Sequence, residues 1–226
     1  VDGHDAAHKI GILASLAHGF WVNPKDVYVE GIRGVTKLDI QFAEQLGYTI
    51  KLLGIVKCHS DQGCKVQVSV YPTLVPNSHV LASVNHVFNA VYVRGDVVGD
   101  TLYYGRGAGQ DATASAVLSD LADAALDRKM GTQHRVPPFV PHERKGAVLS
   151  IKDVVSRYYL RLSVVDKPGT LARIAAILAR SRIGISSVIQ PEGDDGVSVP
   201  LILMIHDASN GAMQRALNQI RRLSVV

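Results

Sequence analysis

The feature that most constrains this fold is an acid and an amine, four residues apart, at the start of a long apolar segment. Asp5 and Lys9 are followed by residues 10–22, which contain no Asp, Glu, Lys or Arg. Residues four apart share one face of a helix, so the two charged groups would lie side by side. A helix that is apolar nearly all round is normally buried. The pair is therefore expected to enter the protein at the leading end of a buried helix.

This pair has two interpretations. Partial burial disfavours the charged form of a lysine and a nearby carboxylate opposes that effect, which is how a proton-transferring lysine is tuned. Alternatively, Asp5 caps the helix and Lys9 is its surface partner. The pair alone favours the second interpretation, because Asp and Lys are common at this spacing.

Composition excludes several classes of function. With 226 residues, 47% hydrophobic and 19% charged, the chain is typical of a globular protein of one large or two modest domains. No apolar run reaches the roughly 18 residues of a membrane span, and no secretory signal is present, so a cytoplasmic location is expected. The net charge of +4 is small and its Lys and Arg residues are scattered, so no nucleic-acid partner is expected.

The two cysteines are the obvious candidates for a metal site. Cys58 and Cys64 flank His59 and Asp61, but a zinc site needs four ligands at tighter spacing, and no second cysteine pair exists. The sequence therefore predicts a turn with reduced thiols and no metal.

Residues 1–129 mix helix and strand patterns without strict alternation. A helix is predicted over 36–46 and ends at Gly47, and the predicted strands are 27–32, 49–57, 65–71, 89–94 and 97–104. Pro72–Pro76 is predicted to interrupt regular structure. Helices with antiparallel strands favour an α+β class with a mixed open sheet.

The wording of Gly3–Lys9 resembles the end of the signature of homoserine dehydrogenases. Glu30–Ile32, Leu46–Leu53, Pro72–Leu74 and Asn89–Val91 also match that family's usual wording. The resemblance implies that residues 1–129 are a catalytic and dimer-forming domain. It assigns Lys9 the proton exchange with the substrate oxygen and Asp5 the orientation of that lysine or of the substrate.

The resemblance also implies the reaction and its cofactor. Homoserine dehydrogenases interconvert L-homoserine and L-aspartate 4-semialdehyde with NADP or NAD, in the biosynthesis of threonine, methionine and isoleucine. The chain opens in mid-signature, so we expect a fragment whose nucleotide-binding domain lies upstream. Because that domain would bind most of the cofactor, the fragment alone is expected to be inactive.

A glycine-rich loop, Gly105–Gly109, follows a predicted strand and precedes a predicted helix opening at Thr113. Glycines let the backbone approach a ligand closely, and a helix N-terminus favours anions. The alternative is an ordinary strand-to-helix turn without a ligand. The family resemblance favours a cofactor contact, with Gly109 beside the cofactor and Gly107 in the same loop.

A Pro- and Gly-containing linker with some local order is predicted over residues 130–156, and the pattern then restarts. Residues 157–226 read as βαββαβ, which is a ferredoxin-like order whose last strand is 223–226. With the turn Asp166–Leu171, this segment resembles an ACT domain, a regulatory module that binds amino acids at subunit interfaces. The alternative is a structural, dimerising module without a ligand.

Three residues form the predicted regulatory site. Gly169 leaves the helix N-terminus open to a carboxylate, Asp166 receives an amino group, and Gln190 bonds a side-chain hydroxyl. Threonine is the effector that the family resemblance suggests, and a homo-oligomer is expected. Two functions thus stand side by side, an NAD(P)-dependent dehydrogenase piece and a non-enzymatic amino-acid-sensing and oligomerising module.

Overall fold

The computed structural model describes residues 1–59, 65–132, 146–191 and 198–226. Within these ranges the chain is an α+β protein, as predicted. The helices are α1 (His4–His18), α2 (Lys37–Gln45), α3 (Gln110–Met130), α4 (Thr170–Arg180) and α5 (Asn210–Ile220). The strands are β1 (Tyr28–Val29), β2 (Tyr48–His59), β3 (Lys65–Pro76), β4 (Phe88–Gly95), β5 (Gly99–Arg106), β6 (Val155–Val165), β7 (Ile185–Ile189) and β8 (Ser198–Ser209).

The chain divides into two compact units. The first contains Val1–Val22, Val29–Gly54 and Val70–Gly146, and the second contains Asn23–Tyr28, Ile55–Ser69 and Ala147–Val226. The strands form a sheet of order β1-β3-β2, a β4-β5 pair and a sheet of order β6-β8-β7.

Helix α1 departs from its predicted burial. Its C-cap is Gly19, which adopts a left-handed conformation with φ of 71°. The helix buries only Ala7, Ala14 and Ser15, whereas Ile12 is 60% exposed. The prediction of a helix buried all round was wrong, because a lack of charge permits burial but does not supply a neighbour on every face.

Helix α2 confirms the prediction over residues 36–46. The Thr36 hydroxyl accepts a hydrogen bond from the Asp39 N–H, and the Asp39 carboxylate accepts one from the Thr36 N–H at 2.8 Å. This reciprocal capping box fixes the start of the helix. Gly47 follows the helix with φ of 80°, a value that favours glycine.

Two strand predictions in this region were wrong. Within the predicted strand 27–32 the strand itself is Tyr28–Val29, with the Glu30 N–H also donating to the Val70 carbonyl at 2.7 Å, and β3 runs through the predicted break to Pro76. β1 is only two residues long, so it pairs with a short part of β3 and leaves most of the β1-facing side of β3 without β1 as a partner. A proline such as Pro72, which has no N–H to donate, is tolerated where a strand has no partner on that side.

The predicted hairpin of strands 89–94 and 97–104 is confirmed as β4 and β5. They pair antiparallel from Phe88 opposite Arg106 to Gly95 opposite Gly99, so the turn consists of the three residues 96–98 rather than the predicted two, 95 and 96. The helix predicted to open at Thr113 begins earlier, at Gln110.

The core of the second unit lies between its sheet and the helices α4 and α5. Alternation along β6 and the 3.6-residue spacing of α4 turn one face of each element inward. The largest buried members of this cluster are Ile174, Leu178, Leu201, Leu203, Ile205, Met213 and Ile220.

The C-terminal end of this unit differs from prediction. The predicted last strand, 223–226, is not a strand, although the Val165 N–H donates to the Val225 carbonyl at 2.9 Å. Within the predicted linker, which was expected to have some local order, the Leu149 N–H donates to the Val66 carbonyl at 2.8 Å. The predicted cysteine turn lies largely outside the described residues, as do residues 133–145 of the linker.

Candidate active site

Gly3 determines where the helix that carries Asp5 and Lys9 begins. It has φ of 86°, and a Cβ there would lie 3.0 Å from Val29 Cγ1 and 3.2 Å from Val70 Cγ1. Only glycine meets both conditions without strain. The Ala7 N–H donates to the Gly3 carbonyl at 2.8 Å, which is the first bond of α1.

Asp5 and Lys9 are in direct contact on α1. The Lys9 Nζ lies 2.8 Å from Asp5 Oδ2, the i,i+4 geometry that the spacing predicts. The hydrogen bond from the Lys9 ammonium is the main cause that lowers the pKa of the Asp5 carboxyl. The side chains are 61% and 83% exposed, so the predicted entry of the pair into the protein is wrong for this chain.

The exposure of the pair continues along the helix. Asp5, Lys9, Ile12 and Leu13 follow the spacing of one helix face, and the last two are 60% and 41% exposed. We call these four residues the open stripe of α1. This face of α1 is therefore accessible to contact by other groups.

An open depression of about 310 Å³ lies beside the start of α1. Its lining consists of Val1, Asp2, Gly3, His4, Asp5, Ala6 and Leu52. Sequence reasoning missed Asp2, His4 and Leu52. The first two adjoin Gly3 and Asp5 in the sequence, which is a usable signal, whereas Leu52 reaches the depression only through the fold.

The glycine loop Gly105–Gly109 has two distinct positions. The Gly107 N–H donates to the Val87 carbonyl at 3.0 Å, and a Cβ on Gly107 would lie 1.8 Å from Asn89 Nδ2. Gly109 has φ of 129° and precedes α3, and the space beside it is open. Among the described residues the loop shares no hydrogen bond with the Asp5–Lys9 pair, so the structure does not join them into one site.

The predicted regulatory residues lie around the start of α4. Gln190 Nε2 donates to Asp166 Oδ1 at 2.8 Å. Gly169 precedes the helix with φ of 89°, no side chain caps that end, and the space beside its Cβ position is open. The Thr170 hydroxyl donates to the Val165 carbonyl at 3.0 Å and fixes the turn. The fold thus brings Asp166 and Gln190 together, with Gly169 three residues beyond Asp166.

The described part of the chain contains no group of three or more His, Cys, Asp or Glu side chains that could hold a metal ion. Cys58 is a free, exposed thiol, and Cys64 lies outside the described ranges. No helix in the described ranges is both long and apolar enough to cross a membrane.

Two family models match the chain. The homoserine dehydrogenase model matches residues 1–122, and the ACT domain model matches residues 158–224. The first match contains the open stripe, the depression and the glycine loop. The second contains Asp166, Gly169 and Gln190.

Curated relatives and solved structures carry the same name. The homoserine dehydrogenase of Neisseria gonorrhoeae is 41% identical, and the match covers all of this chain and 52% of that protein. The homoserine dehydrogenase of Pseudomonas aeruginosa is 44% identical, and the match covers 91% of this chain and 48% of that protein. The crystal structure of a homoserine dehydrogenase from Thiobacillus denitrificans has a TM-score of 0.90 at 40% identity, covering all of this chain and 51% of that one. The chain spans about half the length of the curated relatives it matches.

Proposed function

The chain belongs to the homoserine dehydrogenase family, and we propose that the whole protein, meaning this chain with any sequence that accompanies it in the cell, interconverts L-homoserine and L-aspartate 4-semialdehyde. NADP or NAD is the proposed cofactor. The observation that carries the proposal is the contact of Lys9 with Asp5 beside a depression, inside the region that the family model matches.

Lys9 is the proposed proton-transferring group. In the direction of oxidation its neutral amine accepts the proton of the homoserine hydroxyl, and in the other direction its ammonium returns a proton to the carbonyl oxygen. Asp5 orients the lysine through the 2.8 Å contact. NADP or NAD, when bound, supplies the hydride chemistry.

The chain's own residues fit a partial contact with this cofactor. Gly109 leaves open space where a Cβ would stand, so backbone can approach a ligand closely there. The chain contains no Gly-x-Gly-x-x-Gly fingerprint, so the main nucleotide site is proposed to lie on another domain. The open stripe of α1, with Ile12 60% exposed, is a surface suited to meet that domain.

We propose three segments with separate roles. Residues 1–129 form the catalytic and dimerising domain, 130–156 the linker, and 157–226 the ACT regulatory domain. Asp166, Gly169 and Gln190 are the proposed threonine site, since an acid, an open helix N-terminus and an amide lie close together there. Amino-acid sensing is thus a second function of the same chain. A cytoplasmic location is part of the proposal, because the free thiol of Cys58 suits a reducing compartment.

The test is homoserine oxidation. The whole protein should form NADH or NADPH when homoserine is added, and the 226-residue chain alone should not. Absence of homoserine-dependent turnover by the whole protein with both cofactors would overturn the proposal. Turnover by the chain alone would overturn the part that assigns the cofactor to another domain.

A further inference from the structure

Val1 and Asp2, which precede Gly3 and α1, are held by a turn that follows β1. Arg33 lies in a turn closed by a hydrogen bond from the Val35 N–H to the Ile32 carbonyl at 3.1 Å. Its guanidinium donates two hydrogen bonds to the Asp2 carboxylate, from Nη2 to Oδ2 at 3.0 Å and from Nε to Oδ1. A two-pronged contact fixes orientation as well as distance, which a single ammonium does not do.

Backbone contacts strengthen the same junction. The Ile32 N–H donates to the Val1 carbonyl at 3.0 Å. A Cβ on Gly31 would lie 2.8 Å from the Val1 oxygen and 2.9 Å from Asp2 Cα, so only glycine lets the two segments approach this closely. We call Asp2, Gly31 and Arg33 the N-terminal clamp.

One short stretch of chain connects the clamp to the candidate active site. Asp2 is followed by Gly3, whose carbonyl accepts the first bond of α1, and the next turns carry Asp5 and Lys9. Asp2 lines the depression, whereas Arg33 does not. We propose that Arg33 is a positioning residue that orients the Asp5–Lys9 pair by holding Asp2, an inference that rests on the proposed function.

Positioning rather than stability is the expected role. The Arg33 and Asp2 side chains are 72% and 50% exposed, and exposed ion pairs contribute little to the free energy of unfolding. Misplacement of a reacting group by about 1 Å lowers turnover by up to about 100-fold. Loss of the clamp should therefore lower activity far more than it lowers the free energy of unfolding.

The test uses Arg33→Gln, Asp2→Asn and the double variant in the whole protein. Arg33→Gln should lower kcat about ten-fold with little change in the KM for the nucleotide. The double variant should lower kcat no more than the more damaging of the two single variants, since the two residues act as a unit. Arg33→Lys keeps the charge but cannot form the two-pronged contact, so its kcat should lie between those of Arg33→Gln and the wild type.

A matched control exists on the β4–β5 hairpin. Arg94 forms the same two-pronged contact with Asp100, and the side chains are 73% and 48% exposed. Arg94→Gln should leave kcat unchanged. If Arg33→Gln leaves kcat unchanged, or lowers it no more than Arg94→Gln, the inference is overturned.

A second measurement separates this inference from the proposed function. In the 226-residue chain, amide hydrogen exchange at Ala7 reports the bond to Gly3, and Arg33→Gln should accelerate it about ten-fold relative to amides of α5, as expected for local opening. Unchanged exchange would overturn the clamp. A wild-type protein without homoserine turnover would overturn the proposed function instead, and the exchange data alone would then decide whether the clamp orders α1.

Discussion

The Gln190 side-chain amide donates a hydrogen bond to the Asp166 carboxylate at 2.8 Å, across 24 residues of sequence. Gln190 follows the end of β7, and Asp166 follows the end of β6. The two polar groups therefore meet just before α4, where Gly169 leaves the helix N-terminus uncapped. An amino acid bound here would replace or share this bond, with its carboxylate on the helix N-terminus and its amino group on Asp166.

The first prediction concerns threonine. Calorimetric titration of the chain should show threonine binding, and Asp166→Ala should weaken it about ten-fold or more through loss of a charge-assisted hydrogen bond. Gly169→Val should weaken it too, because φ of 89° is strained for a β-branched residue. Asp153→Ala, an exposed acid in the same unit, is the control and should bind normally. No heat at millimolar threonine would leave this domain a structural module.

The second prediction concerns assembly. β6 and β7 are the two edges of the sheet of order β6-β8-β7, and edge strands of this kind are commonly covered by a partner. The chain should therefore be a homodimer or larger at micromolar concentration, as measured by light scattering. Threonine should tighten that association, because effects on binding are reciprocal. A monomer with and without threonine would contradict this prediction.

The third prediction concerns the glycine loop. Gly107→Ala would place a Cβ 1.8 Å from Asn89 Nδ2 and 2.8 Å from Asn89 Cβ, so the loop or strand β4 must shift. We expect a loss of roughly 1–3 kcal/mol in the free energy of unfolding and a raised KM for the nucleotide. Gly105→Ala is the matched control, because nothing lies within 4 Å of its Cβ position. Equal melting temperatures and KM values for both variants would contradict the assignment.

The fourth prediction concerns pH. Hydrogen bonding by the Arg94 guanidinium lowers the pKa of the Asp100 carboxyl to about 2. Because the folded value lies below the unfolded value of about 3.9, the pair stabilises the hairpin above pH ~4 and this contribution is lost as the pH falls toward 2. NMR titration of the carboxyl should give the low value, and Arg94→Gln should raise it. Arg106→Gln, on the same hairpin, should leave it unchanged.

Local signals predicted the parts of the fold that depend on neighbouring residues. The start and end of α2 follow from Thr36, Asp39 and Gly47, and all three are within one short segment. Pro72 was misjudged because its cost depends on whether the adjacent strand needs its N–H, which only the sheet determines. The exposed face of α1 was misjudged for a similar reason, since helix periodicity does not report what packs against it.

The candidate site divides in the same way. Asp5 and Lys9 are one helical turn apart, so their contact was predictable from spacing. The proximity of Asp166 and Gln190 was predictable from the order of strands and helices. The contact of Asp2 with Arg33 spans 31 residues and depends on a turn after a two-residue strand, for which the sequence carries no periodic signal.

The most direct test of the account is the turnover of the Lys9→Ala variant of the whole protein. If Lys9 transfers the proton, kcat for homoserine oxidation should fall by about 10²- to 10⁴-fold, the usual share of general acid–base catalysis. Lys25→Ala, at an exposed lysine outside the site, should retain wild-type kcat. A folded Lys9→Ala variant that keeps most of its activity would contradict the account and leave Lys9 as a surface partner of Asp5.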